Sequence, residues 1–377
     1  MDFEIDSDSE AVAEVVRQYA DEVLKPKARE VDHAGVFVSR PIPELASLGV
    51  MGMNLPEQWG GPGVSPIALY LSIEALAGAC GSTTSMVTAH FLATDAIYIG
   101  GEDVLRSRFL PDAARGAKLG AFGLTEPGAG SNPADMRTTA VREGNGYRIT
   151  GVKHFISNAA HADFIVVFAK TDMGAGPKAI SAFVVEPALG GVTCGPPEQT
   201  MGLRGGHVFE VVLDCFVPEE NRIGAEGSGF RTALKTLDNG RTEVCAMCTG
   251  IAGEALSLAT AWSKTRKVDG HPIGDFQGLQ WMLADMATEL DAARLLGLRA
   301  ASLREKGLRF SKEASMAKLF AAEHCGTIVD RALQIHGGYG YSQDMPLERM
   351  ARDIRIMRIY EGSSEIQRNI IARSLLS

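Results

Sequence analysis

Between about residues 119 and 229 the chain loses helical periodicity and becomes a series of β-branched and aromatic runs separated by Gly, Pro and Asn turns. The runs are Ala117–Thr125, Tyr147–Ser157, Phe164–Lys170, Ala179–Glu186 and Val208–Pro218. Strands and helices do not alternate here, which rules out the parallel βαβ repeat of a Rossmann fold. The block predicts a middle antiparallel β-domain, built as two packed sheets or a flattened barrel.

On both sides of it apolar residues recur at helical spacing. Upstream, helices are predicted over Glu10–Asp32, Ile42–Leu48 (ended by Gly49), Ser65–Ala79, Thr83–Ile99 and Asp103–Ala114, with a turn-rich loop at 54–63. The stretch Ser82–Ile99 is apolar nearly all round, which predicts a buried helix. Downstream, Ser228–Lys264 reads as one very long helix and Gln277–Lys306 and Ser311–His336 as two more. With a short final helix, Glu365–Leu376, these predict a C-terminal four-helix bundle. The fold class is α+β: an N-terminal helical domain over 1–118, the middle β-domain over 119–229 and the helical domain over 230–377.

Composition narrows the function. The net charge of −9 disfavours a nucleic-acid partner, which needs a clustered basic face, but leaves room for an anionic small ligand at a local positive site. No uninterrupted apolar run reaches the ~20 residues of a membrane span. The opening Met1–Glu10 is acidic where an organellar presequence is arginine-rich, so a cytoplasmic protein of bacterial type is expected, ahead of a mitochondrial matrix one. The six cysteines are scattered; Cys245 and Cys248 have metal or redox spacing, but no second pair or nearby His completes a site. They read as buried thiols, and no metal is expected.

Two short stretches carry chemistry. Phe122–Asn132 is a strand running into a Gly/Pro turn rich in free backbone amides and hydroxyls; read locally it is either a structural turn or a loop able to hold the polar edge of a planar heterocycle. Near the C-terminus, Arg358–Arg368 breaks two helical patterns, with Ser363 or Ser364 as the cap of the second. Gly362 frees the backbone there and leaves Glu361 at the turn beside Tyr360. Read locally, Glu361 is either a solvated loop acid or a carboxylate placed for proton abstraction.

The stretch Tyr360–Arg368 resembles the C-terminal signature of the acyl-CoA dehydrogenases, whose Glu removes the substrate's α-proton, and other motifs of that family follow in family order. Thr125–Asn132 resembles Thr-Glu-Pro-Gly-Ala-Gly-Ser-Asp. The resemblance implies flavin contacts from Leu124 and Thr125 and a CoA contact from Ser131; Asn132 stands in for the usual Asp. Gly151–Asn158 resembles the strand that packs an aromatic on the flavin and a hydroxyl near its N5 atom, which implies Phe155 and Ser157 in place of the usual Trp and Thr. Asp238 and Arg241 match residues that approach the thioester and CoA. One branch of the family carries its base immediately before this Arg; here that position is Gly240, which cannot ionise, so the resemblance assigns the base to Glu361. Tyr360 and Gly362 are implied as its substrate-binding neighbours.

Arg266 and Gln277 match residues that reach a neighbouring subunit's FAD, although Asp269 stands where the family usually has Phe. Gln334, Gly337 and Gly338 match the stretch that meets FAD's adenosine and phosphates, with His336 read as structural. Ser363 and Glu365 match contacts to the neighbour's adenine end. The resemblance therefore implies an FAD-dependent acyl-CoA dehydrogenase that forms a trans-2-enoyl-CoA and passes electrons to electron-transfer flavoprotein. It also implies a dimer or homotetramer. An oxidase using O₂ and a non-catalytic flavin-binding assembly protein are the alternatives. The acyl pocket is expected along Ser85–Ala96, with Met86 and His90 on its wall alongside Val87 and Thr94. No Lys or Arg lies between Ile73 and Leu105, which argues against a dicarboxylic acyl chain.

Overall fold

The computed structural model describes residues 5–172, 174 and 176–376; the outermost residues of the two terminal regions, 1–4 and 377, lie outside them. The first helical stretch is not one straight helix. Helix α1 (Ser7–Tyr19) starts at Asp6, whose carboxylate accepts the Ser9 N–H, and then widens and tightens before α2 (Ala28–Ala34). Pro26 lies in the tight turn, where its missing N–H removes a helical hydrogen bond. Helices α3 (Ile42–Ser47), α4 (Pro66–Ala79), α5 (Gly81–Gly100) and α6 (Asp103–Ala114) complete this region. At the start of α4, Ser65 caps the Ala68 N–H and Pro66 takes the first helical position. Helix α5 is buried through most of its length, as its uniformly apolar sequence predicts.

The β-region holds β1 (Gly120–Gly123), β2 (Thr139–Glu143), β3 (Gly146–Ser157), β4 (Phe164–Lys170), β5 (Ile180–Val185), β6 (Val192–Cys194), β7 (Val208–Pro218) and β8 (Arg222–Ile223). They form one hydrogen-bonded path, β6-β7-β3-β2-β4-β5-β8, with β1 added on β4. The expectation of antiparallel pairing throughout is corrected at two places: β1 and β2 both run parallel to β4. Strand β4 is buried on both faces, so its neighbours on that side arrive by long connections rather than hairpins. Inward residues of β3 and β7 pack against those of β4 and β5, with Tyr147 and Phe183 ring centroids 4.9 Å apart. Since β3 and β5 are not hydrogen-bonded neighbours, the sheet folds over on itself around a core.

The C-terminal region consists of α7 (Gly229–Thr265), a two-strand hairpin β9 (Lys267–Val268) and β10 (His271–Pro272), α8 (Gln277–Glu305), α9 (Ser311–His336), α10 (Leu347–Ile354) and α11 (Ser364–Leu376). Helix α7 is long and apolar enough to cross a membrane by length and composition, but most of that apolar stretch is covered by α4, α5, α8 and α9. Its Cys245 and Cys248 are fully buried free thiols. Asp269 and Gly270 form the hairpin turn with φ of 52° and 84°, a turn in which both central residues are left-handed. Asp tolerates that conformation better than most side chains, which accounts for its presence at this position.

Candidate active site

Three helices and the end of β3 enclose a cavity of about 690 Å³. Helix α5 contributes Ser85, Thr88, Ala89 and Leu92; α7 contributes Phe230, Leu234, Leu237 and Arg241; α11 contributes Ile366, Asn369, Ile370 and Arg373. Each set follows the three- and four-residue spacing of one helix face. The sheet closes the other side with Phe122, Leu124, Thr125, Phe155, Ile156 and Ser157, and the Gly/Pro turn adds Gly130–Pro133. Tyr360, Glu361 and Gly362 complete the wall.

Phe155 reaches the cavity through an irregularity in the sheet. Lys153 pairs with Val211 and Ile156 with Phe209, so β3 carries one extra residue there, and Phe155 takes a φ of 57°. A left-handed bulky residue costs about 1–3 kcal/mol, which the surrounding contacts must offset. Its ring stacks on His154 at 4.2 Å between centroids and remains 61% exposed, leaving a flat aromatic face for a planar ligand. Beneath it Lys153 is fully buried, donates to Glu126 at 2.8 Å and to the Leu124 carbonyl at 3.2 Å, and so ties the Gly/Pro turn to β3. Burial pulls the Lys153 pKa down to about 8 despite the Glu126 carboxylate.

Glu361 occupies the space that Gly240 leaves on α7. A Cβ at position 240 would lie 2.1 Å from Glu361 Oε2. That oxygen is buried and has no hydrogen-bond partner among the described residues. Burial pushes the Glu361 carboxyl up to about 7, with Lys318 and Arg241 pulling it back. Glu361 has a φ of 54°, and among the described residues no acceptor takes its backbone N–H. Arg241 is itself buried; its Nη1 binds Asp238 at 2.6 Å while its Nε has no partner. This combination of an unpaired carboxylate, a free N–H and an apolar wall is equipped to take a proton from carbon next to a polar group.

The other expected positions divide into groups. Met86 and His90 are corrected: both are fully buried away from the cavity, and the wall is the adjacent face of α5. His90 Nδ1 accepts the Gly120 N–H at 2.9 Å, joining α5 to β1, and burial holds its pKa down to about 4. Helix α5 is apolar all round, so its sequence carries no signal for which face is open. Asp238, expected to approach the thioester and CoA, does not line the cavity; it holds Arg241 and accepts from Ser311. Arg266, Gln277, Gln334, Gly337 and Gly338 lie outside the cavity. Arg266 packs on Tyr339 just past the end of α9, and Gln277 opens α8. Arg266 is roughly 37 Å along α7 from Arg241 at 1.5 Å per residue. Ser363 accepts the Gln367 N–H through its carbonyl, and Glu365 is exposed. On α7 sequence reasoning named Arg241 but not Phe230 or Leu234, and it missed the α11 face with Arg373, although the three- and four-residue spacing was present in the sequence.

Models of the acyl-CoA dehydrogenase N-terminal, middle and C-terminal domains match residues 6–117, 121–215 and 227–376. The chain is 41% identical over 374 residues to the short-chain-specific acyl-CoA dehydrogenase of Clostridium acetobutylicum, covering 99% of each. It superposes on the butyryl-CoA dehydrogenase structure of Megasphaera elsdenii with a TM-score of 0.98 and 36% identity over the whole of both chains. The same TM-score, with 39% identity and full coverage of both, relates it to a chain in the structure of the electron-transferring flavoprotein of Acidaminococcus fermentans. A glutamate at an apolar cavity with its Oε2 buried and unpaired, on a fold matched from end to end, leads to one conclusion: the chain belongs to the acyl-CoA dehydrogenase family of flavin-dependent oxidoreductases.

Proposed function

We propose that this protein oxidises an acyl-CoA thioester to the trans-2-enoyl-CoA, with FAD as its flavin and Glu361 as the base. The single observation that carries the assignment is the Glu361 carboxylate, buried over Gly240 with Oε2 unpaired. A base with a pKa near 7 is matched to working at neutral pH. The free Glu361 N–H is available to the thioester oxygen, where charge develops as the α-proton leaves. Arg241, braced by Asp238, and Ser131 on the opposite wall are assigned to the thioester and CoA portion, with Tyr360 and Gly362 framing the base.

The exposed Phe155 face, with Leu124, Thr125 and Ser157 beside it, suits an isoalloxazine ring and its polar edge. Leu124, Thr125, Phe155 and Ser157 would hold FAD there; it would supply the acceptor for the β-hydride, with electron-transfer flavoprotein as the partner that takes up the electrons. Arg266, Gln277, Gln334, Gly337, Gly338, Ser363 and Glu365 are assigned to the FAD of another subunit. The ~37 Å along α7 between Arg241 at the cavity and Arg266 supports this, because it sets Arg266 far from the flavin face of its own chain. A homo-oligomer follows, with a tetramer as the working form and the bacterial cytoplasm as its place. The regions 1–118, 119–229 and 230–377 serve as working domain limits, supported by the change of element type at Gly120 and Gly229.

A short acyl chain is the substrate we favour. Past Leu92 the open face of α5 continues to Asp95, fully buried and held by Asn54 and Asn239 at 2.7 and 2.6 Å. One turn beyond Gly240, α7 delivers Glu243, also buried, whose two oxygens have no partner. A long alkyl chain pressed against these two carboxyls loses the apolar contact it needs. The relation to short-chain and butyryl-CoA dehydrogenases supports the same reading.

The test is anaerobic addition of an acyl-CoA panel to purified enzyme and to Glu361→Gln. Wild type should bleach its flavin fastest with short acyl chains. The variant should keep FAD and bind acyl-CoA while turnover nearly vanishes; a largely active Glu361→Gln would refute the base. Peroxide formed when the same reaction is run in air without another acceptor would instead favour the oxidase reading, and failure of every acyl-CoA to bleach the flavin the assembly-protein reading.

A further inference from the structure

Glu361 and Gly362 both have left-handed backbone, with φ of 54° and 92°. A glutamate in that conformation is strained and persists only where its surroundings hold it. Two side chains do so. Lys318, on α9 and 0% exposed, donates from Nζ to the Gly362 carbonyl at 2.8 Å. Gln367, one turn into α11 and also fully buried, donates from Nε2 to the Glu361 carbonyl at 3.1 Å and to the Gly362 carbonyl at 2.8 Å. Three hydrogen bonds from two buried donors therefore converge on two consecutive carbonyls of a strained turn. A buried ammonium has no structural need to be there; an apolar residue of similar length would fill the same space at lower cost.

We propose that Lys318 and Gln367 clamp the 361–362 turn and are positioning residues for proton abstraction, holding the Glu361 carboxylate over Gly240. This rests on the reading of Glu361 as the base. Neither residue itself lines the cavity, so both act through the turn that carries Glu361. Lys318 has a second effect that Gln367 lacks: its charge stabilises the ionised base. The charged and titratable groups around Glu361 are Lys318 from α9, Arg241 and Glu243 from α7, and the adjacent Tyr360. Around Lys318 they are Glu361, Arg241, Cys248, Glu323 and, from α11, Glu365. Glu243 is held neutral by burial and by Asp95, which leaves Lys318 and Arg241 as the two cations acting on the base.

The experiment compares Lys318→Met and Gln367→Leu with wild type in bound FAD, acyl-CoA affinity by calorimetry, kcat, and the pH dependence of kcat/KM. Lys318→Met is expected to hold FAD and acyl-CoA, to lose about 10- to 100-fold in kcat through misplacement of the base, and to move the acid limb of kcat/KM upward by about one pH unit. Gln367→Leu is expected to lose about 10-fold in kcat with the acid limb in place, because no charge is removed. Wild-type kcat in either variant, or an unmoved acid limb in Lys318→Met, overturns the proposal. Should Lys318→Met fail to fold, Gln367→Leu decides: wild-type kcat overturns the clamp and the expected loss supports it. The two readings separate cleanly. An active Glu361→Gln defeats the base assignment, whereas an inactive Glu361→Gln beside fully active clamp variants defeats the clamp alone.

Discussion

Gly240→Ala tests the geometry of the site with one methyl group. The added Cβ would lie 2.1 Å from Glu361 Oε2, 2.9 Å from its Cδ and 2.8 Å from Leu92 Cδ2, where real Cβ contacts essentially never fall below 3.0 Å. The carboxylate must therefore retreat by about 1 Å, and a displacement of that size is worth about 100-fold in rate, or about 2.7 kcal/mol of transition-state stabilisation. The atoms in the way are ends of flexible side chains, so the helix itself can accept the methyl. Replacing glycine by alanine inside α7 also gains up to about 1 kcal/mol of helix propensity. Stability and activity should then move apart: an unchanged or slightly higher melting temperature, retained FAD and acyl-CoA binding, and a kcat near one-hundredth of wild type. Calorimetry and steady-state turnover with an artificial electron acceptor measure both. A folded Gly240→Ala with kcat within twofold of wild type would show that Glu361 does not work from this position.

Two further outcomes follow from the same site. Burial pushes Glu361 from an ordinary carboxyl pKa of 4.5 up to about 7, and the base works only when ionised, so kcat/KM should rise with pH through 7. At pH 6 about one-tenth of the plateau should remain; a profile flat down to pH 5 would contradict the raised value. At the Gly/Pro turn, Lys153→Met leaves Glu126 as a buried carboxylate that keeps only the Arg137 and Thr138 donors. The expected loss is about 3–5 kcal/mol, read as a lower urea midpoint, with weaker retention of FAD because Leu124 loses its tie to β3. An unchanged midpoint would mean that the pair is not holding the turn.

The order of helices, strands and helices was legible because each element is specified locally. The alternation in Tyr147–Ser157 and the i, i+3, i+4 spacing in α9 need no distant partner to be recognised. Boundaries slipped where tertiary context intervened. The continuous helix expected over Glu10–Asp32 breaks at Pro26, and β2, β6 and β8, too short to stand out alone, exist because a neighbouring strand pairs with them.

The α+β class, the family motifs and a carboxylate at a helix break depend on residue type and short-range spacing, so they can be read along the chain. What surrounds that carboxylate depends on packing. Which face of α5 opens on the cavity, the void at Gly240 that Glu361 fills, and the convergence of Lys318 and Gln367 on one turn all involve residues far apart in the chain. Glu361 sits 121 positions from Gly240 and 43 from Lys318, and its raised pKa comes from burial among them. Burial of that kind is a property of packing, which no local pattern encodes.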